Sequence, residues 1–158
     1  MELNLREFAQ RVLEIAKQNL QADGCLIPIA FIVGPEGTEL VQLSFQNHEE
    51  KECEYQELVR LAHEKNASAI VTVNDAYYAH RPNDLQEYVE GYYPGRLADE
   101  GSPECIMLTL SGPAFATWEV RVPYERTKEG IVFGAHKETT GGDFPFLEGW
   151  AGKGSSVS

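Results

Sequence analysis

Between Val71 and Leu97 the chain reads VTVNDAYYAHRPNDLQEYVEGYYPGRL, a stretch that carries Tyr77, Tyr78, Tyr88, Tyr92 and Tyr93, with Asp75, His80, Arg81, Asp84 and Arg96 among them. Two chemistries fit these residue types. In the first, Asp75 or His80 moves a proton while Arg81 or Arg96 holds an anionic group. That pattern would suit a small-molecule hydrolase or transferase built around Asp75, His80 and Arg96. In the second, Tyr77, Tyr78, Arg81, Tyr88, Tyr92, Tyr93 and Arg96 form a binding segment, because tyrosine and arginine are enriched at protein contacts. Contacts of this kind need no catalytic geometry. The expected function is therefore a binding or protein-interaction module that self-associates through the apolar first hairpin or the tyrosine segment, with the enzyme as the alternative.

Other motifs give the enzyme little support. H-E-x-x-H and H-x-H are absent, and His48, His63, His80 and His136 are scattered. No G-x-S-x-G elbow surrounds a serine. Gly34-Pro35-Glu36-Gly37 places a glutamate where a phosphate cradle needs open backbone. No metal and no cofactor are expected from these patterns.

Composition narrows the partners. The formal charge is −12 and the sequence pI is about 4.7. Such a field repels phosphate backbones, so no nucleic-acid partner is expected. Cys25, Cys53 and Cys105 are widely spaced and form no C-x-x-C pair, which suits a reducing compartment. Charges interrupt the first seven residues, unlike a secretory signal, and the apolar run from Cys25 to Val33 is too short for a membrane helix. The expectation is a cytoplasmic protein with no membrane contact and room for a small-molecule ligand.

These residues need a scaffold, and local patterns predict one. Apolar residues at helical spacing predict a helix over 5–22, with Asn4 as its N-cap and Gly24 as its stop. CLIPIAFIV and TELVQLSF flank the Gly34–Gly37 turn and predict a hairpin over 25–45, with Cys25 opening its first strand. A second helix over 49–65 and a strand over 67–78 follow. In that strand Asp75 is in phase with Val71 and Val73, so its carboxyl must lie at the sheet's end, be paired, or be protonated. Residues 79–103 read either as a loop or as a short helix capped by Asn83. Three strands fill 104–138, and a turn symmetric about Lys128-Glu129 would set Arg121 opposite His136.

The predicted class is α+β. It is a two-layer, mainly antiparallel sheet of about six strands with two main helices on one face, in the order α-β-β-α-β-loop-β-β-β. Residues 1–140 form one domain, and 141–158 form a Gly/Ser-rich C-terminal tail. Helices on one face would leave the other face of CLIPIAFIV to be covered either by the 139–150 segment, with Phe144, Phe146 and Trp150, or by a partner chain, and a two-fold homodimer is the expected form.

Overall fold

A computed structural model describes residues 4–44, 47–77, 104–141 and Trp150, with the backbone alone at His48, Ala76 and Tyr77. Helix α1 spans Leu5–Asp23. The Asn4 side chain accepts from the Glu7 N–H at 3.0 Å, which satisfies an otherwise orphaned donor of the first turn. Gly24 ends the helix at φ 75°, a left-handed conformation that costs glycine little. Strands β1 (Ile29–Gly34) and β2 (Gly37–Gln42) form the hairpin, and α2 covers His48–Glu64. Asn66, just beyond α2, is left-handed at φ 51°.

The remaining strands are β3 (Ala69–Tyr77), β4 (Glu104–Gly112), β5 (Phe115–Thr127), β6 (Gly130–Phe133) and β7 (Lys137–Thr140). The sheet runs β2-β1-β3-β4-β5-β6, with β7 also on β5, and every pairing is antiparallel. Class and element order are as the sequence predicts.

The helices, expected on one face, lie on opposite faces. Val33, Val71 and Val73 join Leu13, Ala16 and Leu20 of α1 in one core, together with Ile106, Leu108, Val120 and Val122. Ala30, Ile32 and Ile70 join Tyr55, Leu58 and Ala62 of α2 in a second core. Adjacent residues of β1 and β3 thus enter different cores, as strand alternation requires. A strand that is apolar throughout needs cover on both sides, and one chain supplies it with one helix per face. The case for a partner chain built on an uncovered face of β1 therefore lapses. Trp150, placed in the tail by composition, belongs to the second core. It is 3% exposed and donates to Ser111 Oγ at 3.1 Å.

Two local expectations are corrected. Cys25 is exposed and precedes β1 instead of opening a strand. Arg121 pairs with Lys137, not His136. The turn itself is symmetric, since Thr127 pairs with Gly130, but one residue is gained between Phe133 and Lys137. Pro123 explains the slip. Its carbonyl accepts from the Gly134 N–H at 2.7 Å, but it has no N–H to return. The ladder breaks there, and β6 and β7 are two halves of one interrupted strand.

Candidate functional site: an acid cluster and an open sheet edge

Of the residues singled out for chemistry, Tyr78, His80, Arg81, Asp84, Tyr88, Tyr92, Tyr93 and Arg96 lie outside the described residues, and only the backbone of Tyr77 is described. Asp75 is described. Register brings it to Glu104, Tyr124 and Arg126: Tyr77 pairs with Glu104, and Glu104 with Tyr124. All four lie toward one end of the sheet, on the α1 side. Burial, and then the Glu104 carboxylate, push the Asp75 carboxyl above its usual range, against the weaker pull of Arg126 and Tyr124. Burial also raises the Tyr124 phenol, and Asp75 and Glu104 raise it further. Its hydroxyl is buried without a normal hydrogen bond among the described residues.

Arg126 organises this cluster. It grips Glu104 with two nitrogens, at 2.8 and 3.3 Å, and donates to the Gly24 carbonyl at 2.6 Å. Its guanidinium stands 5.7 Å from the Tyr124 ring. A cation at the C-terminal end of α1 also meets the negative end of the helix dipole. The arrangement can hold a proton on Asp75, and it fastens α1 to β5. Asp75 was legible from strand phase alone, whereas Glu104, Tyr124 and Arg126 needed the register.

The opposite face is apolar under α2 and polar across β3–β5. Thr72 and Thr109 touch through their hydroxyls, Asn74, Ser111 and Thr117 are buried, and Glu119 pairs with Arg121. Cys105 is also buried there, and burial pushes its thiol up to about 11, so it is a poor nucleophile at neutral pH. No group of three potential metal-ligating side chains occurs among the described residues. His63 instead meets the Trp150 ring edge-on at 5.4 Å.

The predicted return strand of the hairpin is present as β2, and what sequence reasoning did not specify is its open edge. Among the described strands β2 is at the edge of the sheet, exposed at every residue except the half-buried Val41. The Leu43 N–H donates to the Pro28 carbonyl at 2.9 Å, and the alternation of an antiparallel ladder then turns Val41 and Glu39 toward β1. Thr38, Leu40 and Gln42 therefore direct their backbone N–H and C=O groups away from the sheet. The next outward N–H, at Ser44, is taken by the Glu54 carboxylate at 2.9 Å, so the open run ends there. Leu40 is 59% exposed. On its face of the sheet, beside Phe31, lies a groove of about 240 Å³ lined by Val12, Ile15, Ile27 and Ile29. The strand carries one charge, Glu39, which Lys65 holds at 2.8 Å. The signal was present in TELVQL, where Leu40 is out of phase with the inward Val41 and Leu43.

Comparisons with protein-family models, curated proteins and solved structures find no match, so the fold and these sites carry the functional argument.

Proposed function

We propose that this protein is an interaction module that self-associates, with the open side of its first hairpin as the docking surface. One observation carries the reading: β2 presents three successive outward-bonding residues, with exposed apolar Leu40 among them, at an edge that no described strand pairs. Exposed strand edges are templates for pairing with another chain. Sedimentation velocity over a dilution series tests it. A shift from dimer to monomer on dilution is the expected result, and a monomer at every concentration would overturn the reading.

A second reading, the small-molecule hydrolase or transferase, draws support from the raised Asp75 carboxyl beside the Tyr124 hydroxyl. It requires His80 and Arg96 to converge on Asp75. Saturable binding of small anionic compounds, abolished by Asp75→Asn, would favour it over the first.

A further inference from the structure

We infer that the occupant of the β2 edge is a second copy of this chain, paired antiparallel about a two-fold axis at Leu40 to give one sheet continuous across both copies. This rests on reading the hairpin as the docking surface, and it adds the partner's geometry.

The register follows from which residues face outward. A two-fold axis normal to the sheet pairs residues symmetrically about one position. Only an axis at Leu40 pairs all three outward residues, with Thr38 opposite the second copy's Gln42, Leu40 opposite its counterpart, and Gln42 opposite the second copy's Thr38. Each such pair exchanges two backbone hydrogen bonds. An axis at Glu39 or Val41 leaves one outward residue of each copy unpaired. An axis at Glu39 also brings two carboxylates face to face, which is destabilising. In the Leu40 register Glu39 faces Val41, no like charges oppose each other, and Lys65 remains on Glu39. The two Leu40 side chains meet on the face that carries Phe31 and the groove.

The far edge explains why the pairing closes on itself. Gln21 of α1 donates to the Ile131 carbonyl at 2.7 Å and accepts from the Ile131 N–H at 3.3 Å. Its side-chain amide takes the place of a neighbouring strand on β6. The break at Pro123 displaces β7 from β6. A β2 edge thus has no flat β6–β7 edge to join head to tail. Self-pairing of β2 gives a closed dimer, whereas head-to-tail pairing would give a filament.

Leu40→Pro tests the register. It removes an outward N–H that β1 does not use, and proline is tolerated where a strand's N–H faces away from the sheet. Leu40→Lys is a second probe, since it sets two cations against each other on the axis. Masses by sedimentation and melting curves by circular dichroism are compared with those of the unmodified protein. The expected result is an unmodified dimer and, for both variants, dissociation constants weaker by roughly a hundredfold with little change in melting. Should Leu40→Pro fail to fold, Leu40→Lys decides alone. An unmodified dimer that survives the folded Leu40 variants would overturn this register and leave self-association standing elsewhere. An unmodified protein that is monomeric throughout would overturn both.

Discussion

The two edges of the sheet receive opposite treatment. At β6 the backbone groups of Ile131 are taken by Gln21, Pro123 interrupts the strand, and Lys128, Glu129, Lys137 and Glu138 lie exposed along the edge. Capping, a break and charge are recognised ways of blocking edge-to-edge association. At β2 none of them operates among the described residues: the strand is unbroken from Gly37 to Gln42, Lys65 pairs with its one charge, and no described group bonds the outward backbone from Thr38 to Gln42. The closed edge is also where α1 is anchored. Gln21 and Gly24 at the end of the helix reach Ile131 and Arg126, which pair with each other across β5 and β6. The contrast teaches that blocking an edge was within reach of this fold and that the described residues apply it at β6 and not at β2.

Opening the closed edge should give the largest effect. Pro123→Val restores a ladder donor and lets β6 and β7 join, and Gln21→Ala removes the amide that occupies Ile131. The double variant is expected to form species larger than a dimer, visible by light scattering at micromolar concentration. Gln21→Ala alone should cost about 1–2 kcal/mol of stability for its two hydrogen bonds, measured by denaturant unfolding. A double variant that keeps the mass of the unmodified protein would show that the closed edge is not what limits assembly.

The acid cluster beside that anchor gives a smaller, pH-dependent effect. The folded state raises the Asp75 carboxyl, so folded protein binds that proton more tightly than unfolded chain. Ionised Asp75 therefore opposes folding above its folded pKa, and the penalty disappears as pH falls through that value. Asp75→Asn should raise the melting temperature at neutral pH by roughly 2 °C, after discounting for the carboxyl's partial exposure. The gain should shrink on acidification toward the ordinary carboxylate range. A gain that is constant with pH would assign the effect to packing instead.

The smallest effect is expected at the open edge, from Lys65→Ala. The melting temperature should scarcely move, because both partners of this ion pair are exposed. Self-association should weaken a few-fold at low salt, as Glu39 is left uncompensated on β2, and recover at high salt. Insensitivity to salt would place the docking surface away from Glu39.

What the sequence made legible was local. Asn4, Gly24 and the Gly34–Gly37 turn act within a few residues, and the elements they bound appear as expected. Asp75 was legible because strand phase is local too. The side of the sheet that each helix covers was not, since it depends on crossovers between distant strands. Gln21 gave no signal, because an exposed glutamine on a helix differs from any other until the strand it caps, 110 residues away, is in place. Pro123 could have been read: a proline inside ATWEVRVPYE must cost a ladder bond, and the register past it was vulnerable to slipping. Trp150 was available as cover for the sheet despite its Gly/Ser-rich surroundings, but that it packs on the α2 side depends on the core it meets and not on its neighbours in sequence.

Backbone amide exchange along β2, followed residue by residue by NMR at low and high protein concentration, tests the central claim most directly. Glu39 and Val41 donate within the hairpin and should be protected at both concentrations. Thr38, Leu40 and Gln42 should exchange rapidly in dilute protein and become protected together as concentration rises. Rapid exchange at those three positions in protein that is dimeric under the same conditions would contradict the account.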